Sequence, residues 1–541
     1  MTPHAQPYAH ETWSTHEADI LRRYFTNLDQ PVFALVNLPE VVKGALFARY
    51  SRSAKSLRRL FLDEFVRDLD VSGDHTVDAT VGLERAEDLY AKVFLEYGDD
   101  SVAQLGGVHL ACEQASNVLT KVLEWGRLMA YLEQSTRYVT YDTRLGSGHF
   151  RYHRDPELLE SSLGARYVGT MDRLFDTYAR MLPAIQAHLA NRHPRAPGDS
   201  DLAHRRAVRA KALDATRGLL PAGTLSNVGI YGTGQSYEQL ILRLRAHPLP
   251  EARTYGELML AELRKVIPSF LVRVDRPDRG GAWSAYLATN RRAMEDLADE
   301  WFEPADSGGA SGGASVRLVD FDPEGEDKVV AAMLGPFTSC SEHQVRERVA
   351  RLSAEERQRV VRAYVGERTN RRHRPGRALE ATAYRFEVVS DYGAFRDLQR
   401  HRMLTIEWQQ LGTNLGYEVP EAVVQAGMKV DFTAAMSASY ELHQALSGPF
   451  PAQAAYCVPL AYRIRYVMQM SAREAMHVLE LRSGPQGHPA YRRVAQQMHR
   501  LIAEQAGHRA MAGAMRFVDH ASYDLERLDA ERRAEGRRQA R

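Results

Sequence analysis

Three short groups of arginine, histidine and serine residues could bind anions. The first, Arg400-His401-Arg402, follows a segment with the pattern of a strand and then a helix. Basic side chains at the C-terminus of a helix complement its dipole, so the triplet also has a purely structural explanation. The same triplet recurs at residues 372–374. The triplet alone therefore does not distinguish a binding element from the end of a helix.

A second group is the stretch YLEQSTRYV at 131–139. Ser135 and Arg137 lie on either side of one threonine, so a single turn can present a hydroxyl group, a guanidinium group and exposed backbone N–H groups. Such a set of donors suits a phosphate. The alternative interpretation is a polar surface loop with an arginine at the end of a helix.

The third group lies on one face of a predicted helix. Arg473, His477 and Glu480 follow i, i+4, i+7 spacing, while apolar residues occupy the other side. A solvated helix face is the usual meaning of this pattern. Two further arginines, Arg217 in ATRGLLP and Arg482 in LELR, indicate no function when each is considered alone.

The composition limits the classes of partner. In 541 residues there are 70 Lys and Arg against 69 Asp and Glu, so no net charge attracts DNA or an acidic membrane and anion binding must be local. Cys112, Cys340 and Cys457 form no CxxC pair, so we expect no disulfide framework and no zinc or other metal site. The sequence has no secretion signal and no apolar run that could span a bilayer, and we expect a cytoplasmic protein.

Helical periodicity dominates the elements that would position these groups. From Ala115 to Leu132 apolar residues recur at three- and four-residue spacing, which predicts a helix. Residues 384–388 alternate between apolar and polar and predict a strand. Asp391 can then cap a helix over Tyr392–Arg402. We therefore expect an α+β fold that is rich in helices.

Short sequence elements recur in the same order in the two halves of the chain. LLP and LRLRAHP, at 219–221 and 242–248, correspond to CVP and LELRSGPQGHP at 457–459 and 479–489. This order predicts a tandem duplication of a unit of roughly two hundred residues or more. A Gly/Ser/Ala-rich segment between the halves has the composition of a flexible linker. The expected parts are a first repeat with an N-terminal extension, the linker, a second repeat and a charged, frayed or disordered tail, at 1–300, 301–315, 316–525 and 526–541.

Together these groups resemble the signature of the flavin-dependent thymidylate synthases, RHRxxSxNxxSxRY. Residues 125–138 have the length of this signature and keep its end, whereas residues 400–413 keep its start. Glu380 lies twenty residues before the second stretch, as does a glutamate of the family's HGHxxxxEH element. This spacing selects the triplet of the second stretch over the one at 372–374. The resemblance implies two tandem copies of a helix-rich unit with a small central sheet.

Both copies depart from the family pattern, and each copy keeps motif residues that the other copy lacks. Gln104 stands where the first copy would have its glutamate, and the alignment leaves Arg243 and Arg245 as alternatives for an arginine further along. In the second copy, Pro375 and Ala455 replace a histidine and an arginine of the family. The end of the second signature is also altered, with Gln410, Gly412 and Thr413 in place of serine, arginine and tyrosine.

The resemblance implies a composite site, with parts that come from different copies. The residues that would bind dUMP are Glu133, Ser135, Arg137, Arg217 and Arg482. The residues that would bind FAD are Glu380, Arg400, His401, Arg402, Arg473 and His477. No enzyme nucleophile is implied, because the side chains position the reactants and stabilise charge.

The implied reaction is the reductive methylation of dUMP to dTMP. Methylenetetrahydrofolate would supply the methylene group, and FAD, itself reduced by NADPH, would supply the hydride. Family sites form between the subunits of a homotetramer, so a duplicated chain is expected to form a homodimer that imitates one. Two alternatives stay open. One is flavin- and folate-dependent methylation of another uridine nucleotide or of an RNA uracil, and the other is an inactive paralogue that binds a nucleotide or flavin.

Overall fold

The structure of the chain is a computed structural model that describes residues 8–38, 40–66, 104, 106–302 and 313–539. Most of the predicted linker at 301–315 lies outside the described residues. So does most of the stretch YGDDSVAQL at 97–105, in which Gln104 is described. Every helix in the described part of the chain is too short or too polar to cross a membrane.

Helices outnumber strands among the described residues. The strands are β1 Val32–Leu35, β2 Gly107–Ser116, β3 Met129–Glu133, β4 Leu225–Thr233, β5 Ser315–Phe321, β6 Ala383–Asp391, β7 Thr405–Trp408 and β8 Arg463–Ser471. The helices are α1 Thr15–Tyr24, α2 Glu40–Tyr50, α3 Leu57–Glu64, α4 Asn117–Leu123, α5 Pro156–Glu160, α6 Gly164–Arg192, α7 Asp201–Thr216, α8 Gly234–Arg245, α9 Pro250–Leu263, α10 Ala282–Trp301, α11 Gly325–Leu334, α12 Glu342–Val349, α13 Ala354–Val365, α14 Tyr392–Leu398, α15 Glu421–Gln425, α16 Lys429–Ser447, α17 Ala472–Arg482, α18 Pro489–Glu504, α19 Arg509–Ala514 and α20 Leu528–Gln539.

The strands form two antiparallel sheets with equivalent strand orders. The first sheet has the order β1-β2-β4-β3 and the second the order β5-β6-β8-β7. In each copy a short helix, α4 or α14, follows the second strand, and a longer helix, α8 or α17, follows the fourth. The equivalence confirms the predicted α+β fold with two copies of a helix-rich unit around a small sheet.

Apolar side chains on one face of the second sheet form the core of that copy. Tyr466 and Met468 of β8 are buried, and α18 packs across β5 and β6. The buried residues of α18 include Val494, Met498 and Ile502, which recur at helical spacing. Helix α18 therefore supports the sheet from which the loops of this copy extend.

Strand β6 and its capping residue agree with the sequence pattern. Alternate residues of β6 from Tyr384 to Val388 are buried, and the strand pairs with β8. The Asp391 carboxylate accepts a hydrogen bond from the backbone N–H of Ala394 at 2.9 Å and caps α14. The helix ends at Leu398, earlier than the predicted end at Arg402, because the chain then turns into β7, which pairs with β8.

The helix predicted over Ala115–Leu132 is wrong except for its first part. Ser116 caps α4 by accepting a hydrogen bond from the backbone N–H of Leu119 at 3.0 Å, and α4 ends at Leu123. The chain from Met129 onward is β3, which pairs with β4. A local periodicity could not indicate this strand, because its hydrogen-bond partner lies far along the chain.

The chain divides into two compact units, and each unit contains a segment from the other half of the sequence. The first unit comprises residues 1–179, 220–306 and 435–458. The second unit comprises residues 180–219, 307–434 and 459–541. The boundaries predicted at 300 and 316 refer to the sequence repeat and stay a prediction.

Equivalent hydrogen bonds attach the two exchanged segments. In the first unit the backbone N–H of Gly223 donates to the carbonyl of Tyr456 at 2.7 Å. In the second unit the N–H of Ala461 donates to the carbonyl of Gly218 at 3.0 Å. The exchange has one consequence for function, which is that Arg217, from the first half of the sequence, belongs to the second unit.

The charged tail forms helix α20 and packs against α7. Arg532 donates to both carboxylate oxygens of Asp199, at 2.6 and 2.9 Å. The Lys211 ammonium lies 2.8 Å from the Glu526 carboxylate. Ion pairs therefore attach the tail to the second unit.

Candidate functional site

A hydrogen bond between Arg482 and His401 joins the end of α17 to the turn after α14. The Arg482 Nε–H donates to His401 Nε2 at 2.8 Å. His401 is buried, and burial followed by the charge of Arg482 holds the pKa of its imidazole well below the usual value. The ring is therefore neutral, with its proton on Nδ1, which lies 3.6 Å from a Glu474 oxygen.

Two arginines from different halves of the sequence share the carboxylate of Asp397. Arg217 lies in the 3₁₀ turn Arg217–Leu219, and its Nη1 is 3.4 Å from one oxygen of Asp397. Arg482 Nη1 is 4.0 Å from the other oxygen. The Arg217 side chain is only 5% exposed. The structure thus brings together two of the arginines that were predicted to bind the nucleotide.

One donor of this arrangement is unused. The Nη2 atom of Arg217 is buried and has no hydrogen-bond partner among the described residues. It lies beside Gly393, where a Cβ atom would approach it to 3.1 Å, so the glycine makes room for the guanidinium. A buried donor without a partner is costly, and an acceptor supplied by a ligand would satisfy it.

A second carboxylate stabilises the Arg217 guanidinium by its charge. Asp391, the cap of α14, is buried, and burial raises the pKa of its carboxyl while Arg217 lowers it. With Asp397 and Arg482, two cations and two carboxyl groups therefore meet in one small volume. The near balance of charge suits a ligand group with neutral acceptor oxygens, such as ring carbonyls, better than a dianion.

His401, Glu474 and His477 form a cluster of potential metal ligands. Their donor atoms lie within 4.8 Å of one another. However, the only His401 nitrogen that faces the cluster is Nδ1, and this atom carries the proton when Nε2 accepts from Arg482. Burial lowers the pKa of His477 to about 4, and the nearby charges of Arg374 and Arg371 also act against a second cation. The geometry therefore favours a chain of hydrogen-bonding groups over a metal site.

The two imidazole rings of this cluster are in edge contact. The ring centroids of His401 and His477 are 5.5 Å apart, and their planes are inclined by 71°. Glu474 lies between them, and burial raises the pKa of its carboxyl while His477 lowers it. The rings present neutral aromatic surface next to a strongly basic neighbourhood.

Glu380 connects Arg473 to the turn that precedes β6. Its carboxylate lies 3.0 Å from Arg377 and 3.2 Å from Arg473, and the hydrogen bond from Arg377 lowers the pKa of the carboxyl. Arg473 also donates to the carbonyl of Pro375 at 3.1 Å. Glu380 therefore holds Arg473 in position on the side of α17 that carries His477.

The remaining residues of the predicted flavin group follow α14. Arg400 is partly exposed beside buried His401, and Arg402 is exposed. All six residues of this group, together with Arg217 and Arg482, lie in the second unit.

The other predicted nucleotide residues lie in the first unit. Glu133 ends β3 with its side chain fully buried, 3.2 Å from the Lys121 ammonium. Lys121 also pairs with Glu124, so a single buried lysine forms ion pairs with two buried carboxylates. This arrangement holds the end of β3 and the start of the next loop.

The loop after β3 is held by its own polar groups. The Ser135 backbone N–H donates to the carbonyl of Ser51 at 3.1 Å, and the Ser135 hydroxyl accepts from the Arg137 N–H at 3.3 Å. Arg137 is largely buried, and Arg52 lies over the ring of Tyr138. The predicted pair of hydroxyl and guanidinium is present in one ordered turn.

Comparison with known proteins identifies the family. The model of the family described as thymidylate synthase complementing protein matches residues 47–269 and 317–506. The chain belongs to this family. The double match confirms the resemblance to flavin-dependent thymidylate synthases and the tandem arrangement.

Relatives of similar length come from bacteria and archaea. The chain is 38% identical over 525 residues to a UPF0159 protein of Chlamydia muridarum, with 96% of this chain and 98% of that one covered. It is 32% identical over 516 residues to a UPF0159 protein of Thermoplasma acidophilum, with 90% and 97% covered. Among solved structures, a UMP/dUMP methylase PolB from Streptomyces cacaoi bound with 5-Br dUMP aligns with 20% identity and a TM-score of 0.31, over 38% of this chain and 98% of that one.

The structure distinguishes between the two arginines that the alignment left open. Arg243 lies over the ring of Trp125, 4.9 Å from its centroid, at the start of the altered first signature. Arg245 instead pairs with Glu257 and Asp275. Arg243 therefore has the place in the first copy that Arg482 has beside the second signature.

Sequence reasoning missed two carboxylates of the second unit. Asp397 and Glu474 hold Arg217, Arg482 and His401 in their arrangement. Glu474 could have been found, because it lies one helical turn before His477 on α17. No sequence spacing could have indicated Asp397 in the same way, because its contact with Arg217 depends on the exchanged segment.

Proposed function

We propose that this chain catalyses the FAD-dependent reductive methylation of dUMP to dTMP, with methylenetetrahydrofolate as the carbon donor and NADPH as the reductant. The observation that carries the proposal is the buried pair of Arg217 and Arg482 around Asp397, with a guanidinium nitrogen of Arg217 that lacks an acceptor. Family membership supports the same assignment, since the matching family is that of thymidylate synthase complementing proteins.

The two arginines would bind the uracil ring. Carbon–carbon bond formation at the ring shifts negative charge onto the carbonyl oxygens, and fixed donors in a buried site stabilise that charge without reorganising solvent. Arg482 is oriented by His401, which accepts from its Nε, and by a hydrogen bond with Tyr491, while its Nη1 atom lies 4.0 Å from Asp397. Asp397 keeps both guanidinium groups in place and limits the net charge, so the pair would discriminate in favour of an uncharged ring.

The basic side of the same unit fits a flavin dinucleotide. Arg400, Arg402 and Arg473 supply donors for a pyrophosphate, and Arg371 and Arg374 add positive charge near His477. The neutral rings of His401 and His477 provide aromatic surface. FAD bound there would supply the hydride that converts the transferred methylene group to a methyl group. Glu380 would hold Arg473 for this contact.

The Ser135 and Arg137 turn would bind a nucleotide phosphate, with Glu133 fixing the end of the strand that leads into it. The serine hydroxyl and the guanidinium group are suitable donors for a phosphate, whereas the backbone N–H groups of Ser135 and Arg137 already donate within the protein. This assignment rests on the family resemblance and on the ordered geometry of the turn.

The first test is the cofactor and the product. Full-length protein purified from cells should be yellow, should release FAD on denaturation, and should form dTMP from dUMP in the presence of methylenetetrahydrofolate and NADPH. It should also rescue a thymidine auxotroph. Arg217→Ala and Arg482→Ala should abolish dTMP formation, while Arg346→Ala, which removes an exposed pair with Glu342 in the same unit, should not.

Other outcomes distinguish the alternatives. Methylation of UMP or of an RNA uracil without activity on dUMP would show that the methyl acceptor is not dUMP, while the flavin chemistry would be the same. A protein that binds dUMP or FAD but forms no methylated product would be the inactive paralogue. A colourless protein that binds neither would contradict the proposal.

A further inference from the structure

Helix α10 carries an exposed apolar stripe outside the regions that match the family. The matched regions end at residue 269 and resume at 317, and α10 lies between them. None of its residues is buried. Trp283 is 44% exposed, Met294 64% and Trp301 66%. Large apolar side chains that are exposed together on one helix are typical of an interaction site.

The spacing of the stripe is that of a paired helix. Its members are separated by alternating steps of four and three residues, the seven-residue period that keeps one seam facing a second helix. The stripe consists of Trp283, Leu287, Asn290, Met294, Leu297 and Trp301, of which Leu287 and Leu297 are half-buried and the others exposed. Arg291 and Glu300 flank the stripe and the other charged residues lie further round the helix, so the seam itself contains no charge.

The order of residues along the stripe is nearly the same from either end. Read from the N-terminus it begins with tryptophan and then leucine, and read from the C-terminus it begins with tryptophan and then leucine. The intervals between members are also the same in both directions. Antiparallel pairing about a two-fold axis perpendicular to the helix places the first member of one stripe opposite the last member of the other, and this order then matches large residues with large ones.

We propose that α10 pairs in antiparallel orientation with α10 of a second copy of this chain. In that register Trp283 lies opposite Trp301 of the partner subunit, and Leu287 lies opposite the partner's Leu297. Asn290 then faces the partner's Met294, so the single polar member of the seam meets a flexible thioether near the axis. The helix has 20 residues and would provide about 30 Å of contact.

The first experiment measures self-association of the full-length chain by sedimentation velocity over a range of concentrations. Met294→Glu places a charge in the seam and should weaken the dimer at least 100-fold. Thr289→Glu adds the same charge to the same helix away from the seam, and should change the dissociation constant less than threefold. Far-ultraviolet circular dichroism and the melting temperature of both variants check that the fold is retained.

The second experiment tests the register by disulfide formation. In a Cys340→Ser background, which removes the exposed native thiol, chains with Asn290→Cys are mixed with chains with Met294→Cys under mild oxidation. Antiparallel pairing should give covalent dimers between the two kinds of chain, at least tenfold more than between chains of one kind. Predominant Asn290→Cys homodimers would indicate parallel pairing and overturn the proposal. A monomeric wild-type chain, or a Met294→Glu variant that dimerises as tightly as wild type, would also overturn it.

Discussion

Replacing Arg217 by alanine tests the centre of the candidate site. The substitution removes the cation that lies 3.4 Å from Asp397 and that lowers the pKa of Asp391 against the effect of burial. Arg482 then remains 4.0 Å from Asp397, and Arg493 still acts on Asp391 by its charge. The variant therefore loses a binding group and also a stabilising charge.

The size of each loss follows from the burial of the pair. Removing one partner of a buried ion pair costs about 3–5 kcal/mol. Because Asp397 is 17% exposed and keeps Arg482 nearby, we expect a loss of unfolding free energy at the lower end, about 3 kcal/mol. A charge-assisted hydrogen bond to a ligand contributes about 1.5–3 kcal/mol, so dUMP affinity should fall about 10- to 100-fold.

The stability deficit should depend on pH with a definite sign. Burial raises the pKa of Asp391 above its value in the unfolded chain, and loss of Arg217 raises it further. A carboxyl group with a raised pKa in the folded state favours folding below its unfolded pKa and loses that contribution as the pH rises through the folded pKa. The deficit of Arg217→Ala relative to wild type should therefore be larger at pH 7 than at pH 5.

Urea unfolding at the two pH values and calorimetric titration with dUMP measure these effects. Arg346→Ala serves as the control, because it removes an arginine that is half exposed and pairs with Glu342 at the surface. Its unfolding free energy and dUMP affinity should stay close to those of wild type. If Arg217→Ala binds dUMP as wild type does, or if its deficit is the same at both pH values, the roles given to Arg217 are wrong.

Three further predictions concern other parts of the site. Replacing both Arg400 and His401 by alanine should remove FAD from a folded protein, and full flavin absorbance in that variant would contradict the cofactor assignment. Arg137→Ala should weaken dUMP binding about 10- to 100-fold by calorimetry, whereas equal affinity would leave the turn without a binding role. Lys121→Met leaves Glu133 buried without its lysine and should lower the urea unfolding free energy by about 3–5 kcal/mol, whereas an unchanged midpoint would show that the cluster contributes nothing.

Local sequence signals predicted the elements whose determinants are themselves local. The alternation in β6 and the cap at Asp391 were sufficient, since a strand face and a helix N-terminus each depend on a few adjacent residues. Helix periodicity failed at β3, because whether residues 129–133 form a strand depends on their pairing with β4. The order of motifs was enough for the family and for the duplication, because a repeat can be read without knowing any contact.

The sequence by itself determined which residue types were available for a nucleotide and flavin site, and it determined the two incomplete signatures that carry them. The tertiary structure decided which of these residues meet. Arg217 joins Asp397 and Arg482 in the second unit because a segment of the first half is exchanged into it. His401 became an acceptor for Arg482 because burial removes its positive charge. Both outcomes depend on contacts between distant segments and on desolvation, which are properties of the packed chain and have no local signal in the sequence.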